Sequence, residues 1–215
     1  MSPIPKVFKH PENALIWSYL HSMHAEIERL ESIHGLKSPD FLSASNLKQE
    51  ISYWEKVLAD DQNFPVVLAH GDLKPANAMT TDDGSDVFLI DFELSGPNYR
   101  GYDIMKLFRK QQPLEVQEAS MRSFLAVYAQ QSQIPKQEIG DFTEKVVAEC
   151  HKIEPLTWLE AVVFFGLILH IKTDQREEWI RLAEERWAEY IKAKERAVAL
   201  CSAEGKNCPE YGDFA

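Results

Sequence analysis

The sequence has few cysteines and a deficit of positive charge. Its three cysteines, Cys150, Cys201 and Cys208, cannot all pair, and they form neither a CxxC motif nor a Cys/His cluster. This argues against a disulfide scaffold and a zinc site and favours a reducing compartment. The net charge of −11 is unsuited to nucleic-acid phosphates and to an anionic membrane surface, so nucleic acid is not expected as a partner.

A targeting segment and long apolar runs are also lacking. The first ten residues, MSPIPKVFKH, contain no apolar core of signal-peptide length. The longest apolar run, 161–169, is shorter than the ~20 residues of a membrane span. The sequence therefore predicts a soluble, cytoplasmic protein without a membrane span. Its 215 residues, 45% of them hydrophobic, are enough for a domain with a real core.

Hydrophobic periodicity predicts helices at both ends of the chain. One helix is expected from about Ile16 to a stop at Gly35, and a second from about Asn46 to Ala59, capped by Ser43 or Ser45. After Gly101 the pattern is helical again. New helices are predicted to begin near three prolines, Pro113, Pro135 and Pro155.

The middle of the chain predicts a small β insert. Short apolar runs indicate strands at Val66–Leu68, Ala78–Thr81 and Val87–Ile90, and the DDGS sequence between the last two is typical of a hairpin turn. The predicted fold class is therefore α+β and mostly helical, with a small β-hairpin insert.

Two polar loops adjoin these strands. Residues 68–77 read LAHGDLKPAN and residues 89–93 read LIDFE. Because a hairpin returns its second strand beside its first, Asn77 and Asp91 are expected at the same end of the insert, with Asp72 on the loop leading in. Their oxygens are the hard ligands that suit Mg²⁺, and a further Asp can accept a hydroxyl proton in phosphoryl transfer. Kinase active sites have the same arrangement, with an Asp in the catalytic loop, an Asn five residues later and a metal-binding Asp in the next hairpin.

Each of these residues also has a simpler interpretation. Asp72 can cap a turn, His70 can hydrogen-bond the loop without a chemical role, and Asn77 can be a turn residue. The combination favours a kinase-like site, because a strand, HGDxxxxN, a hairpin and an apolar-apolar-Asp-Phe sequence follow one another in the expected order.

Residues 89–104, LIDFELSGPNYRGYDI, resemble the choline/ethanolamine kinase family, which belongs to the larger group of aminoglycoside phosphotransferases. That family has an IDFEYSxYNYRGFDI pattern here. A protein kinase would have DFG and later APE, so it is the weaker match despite the HGDLKPAN string. The resemblance covers most of the chain as the C-terminal lobe of a protein-kinase-like fold, and it is most specific over 66–104.

The resemblance implies an ATP-dependent phosphotransferase that moves the γ-phosphate to a small-molecule hydroxyl with Mg²⁺, within phospholipid precursor metabolism. Asp72 is then the catalytic base, Asn77 and Asp91 hold the metal and nucleotide, and Glu93 is a further metal or supporting residue. Lys74 either reaches the transferred phosphate or is a solvated surface lysine.

Two further residues are expected to support this site. His70 is expected to hydrogen-bond the catalytic loop. Asp103, in the first turn of the next helix, resembles the family's structural partner of that loop.

The family's N-terminal nucleotide-binding lobe has no counterpart in these residues. The nine glycines form no GxG, so the loop that covers the nucleotide and the lysine that grips its phosphates are expected to be absent. The predicted organisation is a kinase-like C-terminal lobe over 1–200, with the catalytic and metal loops at 66–104, and a flexible polar tail over 201–215.

The family's acceptor pocket is poorly matched. Leu94 stands where the family has a tyrosine, Lys110 where it has a glutamate, and Ala161 and Phe164 where it has paired tryptophans, with Trp158 nearby. Since a lysine repels a quaternary ammonium, choline is disfavoured, whereas a small alcohol is not.

Two functions therefore stay open. The chain is either the catalytic lobe of a small-molecule kinase, with the missing lobe supplied by a longer protein or by a partner, or a non-catalytic module that binds nucleotide, metal or a protein. The second alternative predicts an exposed apolar surface and self-association, for example as a homodimer. A protein-kinase lobe is a third, weaker alternative.

Overall fold

The computed structural model describes residues 14–35, 38–59 and 64–203. Within them, short antiparallel strands are embedded in a mostly helical chain, which confirms the predicted α+β class. The elements are α1 (Leu15–His34), α2 (Ala44–Ala59), β1 (Val66–Ala69), β2 (Ala78–Thr80), β3 (Val87–Leu89), β4 (Gly96–Tyr99), α3 (Arg100–Phe108), α4 (Leu114–Gln131), α5 (Ile139–Ile171) and α6 (Arg176–Ala203).

The described residues divide into two compact units. The first contains Ala14 and residues 64–153, and therefore all four strands, α3, α4 and the first part of α5. The second contains α1, α2, the rest of α5 and α6. The polar loops that the sequence singles out lie entirely in the first unit.

The strands of the first unit form two antiparallel pairs. β2 pairs with β3, with Ala78 opposite Leu89, as the hairpin pattern predicts. β1 pairs with β4, with Val66 opposite Tyr99. β4 was not predicted, because Gly-Pro-Asn-Tyr has little intrinsic strand preference and only its pairing with β1 makes it extended.

The core of the first unit lies between α3, α4 and α5. Gly101 lets two of these helices approach closely, since a Cβ there would lie 3.2 Å from the backbone nitrogen of Cys150. The core cluster consists of Ile104, Met105, Phe108, Met121, Leu125, Val146, Val147 and Cys150. This packing fixes the position of α3, the helix that follows the polar loops.

The described part of the second unit is helical, and the buried side chains of α1 and α2 recur at helical spacing. The buried side chains of α1 include Ile16, Leu20 and Ile27, and those of α2 include Leu47 and Trp54. The predicted ends are also confirmed. Gly35, with a φ of +60°, follows α1, and the Ser43 hydroxyl caps α2 by accepting a hydrogen bond from the backbone N–H of Asn46 at 3.3 Å.

The prediction that Pro155 begins a helix is wrong, because Pro155 lies inside α5. All residues of 151–160 are buried, and this burial outweighs the ~3 kcal/mol that an interior proline costs. Among the described residues, Lys136–Ile171 is the one stretch with the length and composition of a membrane span, and 67% of its most apolar window is buried within the protein. Buried Glu149, Lys152 and Glu154 also lie on α5, which favours a core helix.

Two of the three cysteines lie in described helices. Cys150 and Cys201 are free and buried. Cys208 and most of the predicted tail lie outside the described residues, since α6 extends to Ala203 and the description ends there.

Candidate active site

The loop between β1 and β2 is held by the first turn of α3. The Asp103 carboxylate accepts hydrogen bonds from the backbone N–H groups of His70, at 2.5 Å, and Gly71, at 3.0 Å. Burial raises the pKa of Asp103, and the two N–H donors oppose that shift. Two consecutive backbone groups of the loop are therefore fixed to a helix whose own position is set by the core.

Gly71 brings the loop against the turn that follows β3. Its φ is +84°, and a Cβ there would lie 2.1 Å from the carbonyl oxygen of Leu94. The Ser95 hydroxyl, next along the chain, donates to the His70 carbonyl at 3.3 Å. Only glycine allows this close approach, and it sets the direction of the next residue, Asp72.

Asp72 lies among three nitrogen donors. Its Oδ1 is 2.9 Å from Lys106 Nζ, and its Oδ2 is 2.6 Å from Lys74 Nζ and 3.2 Å from Asn77 Nδ2. The Asn77 amide also donates to the Asp72 carbonyl at 2.9 Å. The structure thus brings together Asp72, Lys74 and Asn77 in direct contact.

The two lysines determine how Asp72 ionises. Partial burial raises the pKa of Asp72, but attraction to Lys106, hydrogen bonds from Lys106 and Lys74, and attraction to Lys74 together lower it below the ordinary value of 3.8. Asp72 is therefore a carboxylate at neutral pH, able to accept a hydrogen bond from a hydroxyl group.

His70 links the loop to the second polar segment. Its Nε2–H donates to the Ile90 carbonyl at 2.9 Å, and its Nδ1 accepts from the Asp72 N–H at 3.3 Å. Because the Ile90 carbonyl can only accept and the Asp72 N–H can only donate, the ring proton is assigned to Nε2. The ring also lies 4.7 Å from the ring of Phe92, between centroids. His70 therefore connects the segment of Asp72 with the segment of Asp91.

Asn77 and Asp91 lie at the same end of the β2–β3 hairpin. The Ile90 N–H donates to the Asn77 carbonyl at 3.0 Å, and Asp91 is the next residue. Asp91 has left-handed backbone geometry, with φ 68° and ψ 58°, and its exposed side chain makes no capping hydrogen bond to the turn that it precedes. This unusual conformation presents the carboxylate to solvent. Glu93 is also exposed, two residues further on.

The donor set at this end fits a hard cation. The Asn77 amide uses its nitrogen toward Asp72, so its oxygen is the atom that a cation would bind, and Asp91 and Glu93 add carboxylate oxygens. Among the described residues, no group of three or more His, Cys, Asp or Glu side chains has metal-binding geometry. The candidate ligands here are two carboxylates, Asp91 and Glu93, and the amide of Asn77. So small a set suits a metal that keeps several waters.

The five residues of the expected acceptor pocket are divided between the units. Leu94 and exposed Lys110 belong to the first unit. In the second unit Trp158 is buried, with its Nε1–H 3.4 Å from Glu154 Oε1, whereas Phe164 is 39% exposed and Ala161 is intermediate. Their grouping in one pocket stays a prediction.

Lys106 is the residue of this site that the sequence analysis missed. A lysine in a helical pattern ordinarily indicates a solvated face, but this one is buried against Asp72. The available signal was its spacing, because Lys106 follows Asp103 by three residues and therefore shares its face of α3.

Comparisons with known proteins identify this fold. The structure is similar to the ethanolamine kinase of Plasmodium vivax, with a TM-score of 0.62, 18% identity and coverage of 83% of this chain and 50% of that one. It is also similar to the choline kinase of Cryptosporidium parvum, with a TM-score of 0.63, 17% identity and coverage of 92% and 60%. The fold is therefore that of this class of kinases.

Sequence similarity gives the family. The choline/ethanolamine kinase family profile matches residues 6–191. Mouse ethanolamine kinase 1 is 30% identical over 173 residues, which cover 74% of this chain and 47% of the mouse protein. A probable ethanolamine kinase of Arabidopsis thaliana is 48% identical over 48 residues, 22% of this chain and 13% of that protein. The chain belongs to the choline/ethanolamine kinase family, and it spans about half the length of the mouse relative.

Proposed function

We propose that this chain carries the phosphoryl-transfer site of an ATP-dependent kinase for a small alcohol, with Asp72 as the catalytic base. The arrangement around Asp72 is the observation that carries the proposal. The ionised Asp72 carboxylate contacts Asn77 and lies beside the exposed Lys74. Asp91, whose carboxylate is exposed, follows Ile90, the residue hydrogen-bonded to Asn77. Family membership supports the same activity.

In this reaction Asp72 orients the acceptor hydroxyl and takes its proton. The hydroxyl oxygen forms a bond to the γ-phosphorus. The bond from that phosphorus to the β–γ bridging oxygen breaks, and its electron pair leaves with ADP. The proton passes to the Asp72 carboxylate, so that the products are the phosphorylated alcohol and ADP.

Asn77 and Asp91 are the proposed Mg²⁺ ligands, and Glu93 is a third candidate. The amide and carboxylate oxygens at this end of the hairpin have the chemistry that Mg²⁺ prefers. Bound there with a nucleotide, the ion would neutralise phosphate charge. His70 supports the arrangement through its hydrogen bonds to the segments on either side.

Lys74 is proposed to move between two partners. Its side chain is 46% exposed and its Nζ lies 2.6 Å from Asp72 Oδ2. A lysine at the surface can leave this pair at little cost, since an exposed ion pair contributes only ~0–1 kcal/mol. Moving toward the transferred phosphoryl group, Lys74 would stabilise its charge and uncover the oxygen of the base.

Ethanolamine is the acceptor to test first. The mouse, Arabidopsis and Plasmodium relatives carry the name ethanolamine kinase. If Leu94 lines the acceptor pocket, it removes an aromatic face that a quaternary ammonium such as choline would use, whereas Lys110 would repel either cation. The proposed location is the cytoplasm, where ATP and Mg²⁺ are abundant.

The test measures turnover and nucleotide binding in the full-length native protein. We expect phosphorylation of ethanolamine that requires Mg²⁺ and stops when the metal is chelated. Asp91→Asn should abolish binding of Mg²⁺-nucleotide, measured calorimetrically, with an unchanged circular dichroism spectrum. Asp82→Asn, which removes an exposed carboxylate from the hairpin turn, is the matched control. Unchanged nucleotide affinity in Asp91→Asn would refute the assignment.

A second candidate function is a non-catalytic module that binds nucleotide, metal or a protein partner. The hairpin favours it, because Met79, Val87, Phe88, Leu89, Ile90 and Phe92 are all exposed. In the catalytic proposal this surface is covered by a further part of the kinase or by the nucleotide. In the second proposal it is a contact between copies or with another protein. Turnover by the native protein excludes the second candidate, whereas concentration-dependent self-association without turnover, seen by analytical ultracentrifugation, supports it.

A further inference from the structure

Two side chains of α3, one turn apart, hold three consecutive residues of the catalytic loop. Asp103 accepts from the backbone N–H groups of His70 and Gly71. Lys106 Nζ is 2.9 Å from Asp72 Oδ1 and donates to the Gly71 carbonyl at 3.4 Å. Residues three apart lie on the same face of a helix. Asp103 thus fixes the backbone of the loop, and Lys106 contacts the side chain of its reactive residue.

The two lysines that contact Asp72 differ in their freedom to move. The Lys106 side chain is 3% exposed, against 46% for Lys74. A buried ammonium group is costly unless it is paired, and Lys106 has the Asp72 carboxylate, the Gly71 carbonyl and the face of the Tyr102 ring, 5.4 Å from its centroid. Lys106 is therefore a fixed partner of Asp72 and Lys74 a displaceable one.

This difference distinguishes the two oxygens of the carboxylate. Oδ1 faces the buried Lys106, whereas Oδ2 faces the exposed Lys74 and accepts a longer hydrogen bond, 3.2 Å, from the Asn77 amide. A hydrogen bond from a buried donor to one carboxylate oxygen restricts rotation of the carboxylate group. The second oxygen therefore stays oriented toward the solvent-accessible side, from which a substrate would approach.

We propose that Lys106 is a positioning residue that fixes the Asp72 carboxylate through Oδ1, so that Oδ2 is the oxygen that receives the acceptor hydroxyl. The inference rests on the proposed function and assigns Lys106 a role that acts through Asp72. A competing explanation is that Lys106 only neutralises the carboxylates of Asp72 and Asp103. The two explanations differ in what a neutral donor at position 106 would do.

The experiment compares Lys106→Met, Lys106→Gln and Lys136→Met in the full-length native protein. Met removes both charge and donor, Gln keeps an N–H donor for Oδ1, and Lys136→Met removes an exposed lysine in the same unit. In Lys106→Met we expect kcat to fall on the order of 100-fold with the KM for ATP within about twofold. Lys106→Gln should recover at least about tenfold of that loss, and Lys136→Met should match the native protein.

Several outcomes overturn the positioning role. A folded Lys106→Met variant with the kcat of the native protein would contradict it. A Gln variant no better than the Met variant would favour neutralisation instead. A parallel loss in Lys136→Met would make the effect non-specific. If Lys106→Met does not fold, the comparison of Lys106→Gln with native protein decides, since a kcat below about one-tenth of native with a retained donor contradicts positioning.

A second measurement separates this inference from the proposed function. In a double-mutant cycle of Lys106→Met and Asp72→Asn followed by chemical unfolding, we expect a coupling of at least about tenfold in the unfolding equilibrium constant. The cycle of Lys74→Met and Asp72→Asn should give below about threefold. Absence of turnover in the native protein would overturn the proposed function alone, whereas equal coupling in the two cycles would overturn the fixed role of Lys106.

Discussion

Lys106 and Lys194 each form a largely buried pair with a carboxylate, and the two pairs serve different purposes. In the first unit Lys106 Nζ lies 2.9 Å from Asp72 Oδ1, and in the second unit Lys194 Nζ lies 2.6 Å from Glu50 Oε2. The side chains of Lys106 and Lys194 are 3% and 12% exposed, whereas the Asp72 side chain is 18% exposed and that of Glu50 is not exposed at all. Access of the carboxylate to solvent is the difference that matters for chemistry.

The surroundings of Glu50 explain its inaccessibility. Glu50 lies on α2 and accepts hydrogen bonds from Tyr190 and Lys194 of α6. The Trp54 Nε1–H donates to the Tyr190 hydroxyl at 2.8 Å, and Lys194 lies over the Tyr53 ring, 4.6 Å from its centroid. Burial lowers the pKa of Lys194, against the attraction of Glu50. This network joins two helices, whereas Asp72 lies on a loop with one side open. The same pair of charges therefore stabilises packing in one place and presents a reactive group in the other.

The largest expected effect of changing these two carboxylates is on turnover. Asp72→Asn should lower kcat by about 10³-fold, or ~4 kcal/mol, because the amide cannot accept the hydroxyl proton. Glu50→Gln makes the same chemical change in the other pair and should leave kcat per folded molecule within about twofold. Steady-state kinetics at matched concentrations of folded protein provide the measurement. Comparable losses in both variants would contradict the assignment of Asp72.

Stability should respond in the opposite order. Glu50→Gln should lower the free energy of unfolding by about 3 kcal/mol, because Lys194 stays buried without its counter-charge. Asp72→Asn should cost less, about 1.5 kcal/mol, since solvent reaches the carboxylate and Lys106 keeps an oxygen acceptor. Chemical denaturation with native protein as reference distinguishes the two, and equal losses would mean that exposure does not separate the pairs.

A third test moves Asp72 without changing its chemistry. Gly71→Ala should destabilise the protein by about 3 kcal/mol and lower kcat, because its Cβ would meet the Leu94 carbonyl at 2.1 Å. Gly84→Ala is the matched control. Gly84 also has a positive φ, +69°, but no atom lies within 4 Å of the added carbon, so we expect about 1 kcal/mol. Thermal unfolding and kinetics give the readout, and equal effects would exclude crowding at Gly71.

The smallest expected effect is on acid stability. Because the folded pKa of Asp72 lies below 3.8, the unfolded chain binds more protons between the two pKa values, and stability decreases as the pH falls through that window. Lys106→Met should raise the pKa of Asp72, since the largest lowering influence is removed. Carboxyl-carbon NMR of the Asp72 side chain measures both values. A titration midpoint that Lys106→Met leaves unchanged would contradict the described contact.

Local patterns were sufficient to predict much of the fold and the position of Asn77 and Asp91 at one end of the hairpin. The end of α1 at Gly35, the Ser43 cap and the β2–β3 hairpin each depend on residues close in sequence. β4 and the passage of α5 through Pro155 depend on pairing and burial that no local window contains. Lys106 was missed for the same reason, because its partner Asp72 is distant in sequence and a lysine without its partner looks solvent-exposed.

His70 also gives the protein a built-in chemical reporter. The Nε2–H donates to the Ile90 carbonyl, and the Nδ1 lone pair accepts from the Asp72 N–H, so the one nucleophilic nitrogen of the ring is occupied as long as these hydrogen bonds persist. A reagent that acylates imidazole would label His70 only in molecules whose loop has opened. The labelling rate, measured by mass spectrometry of the peptide that contains His70, would therefore report the opening frequency of the catalytic loop without any substrate.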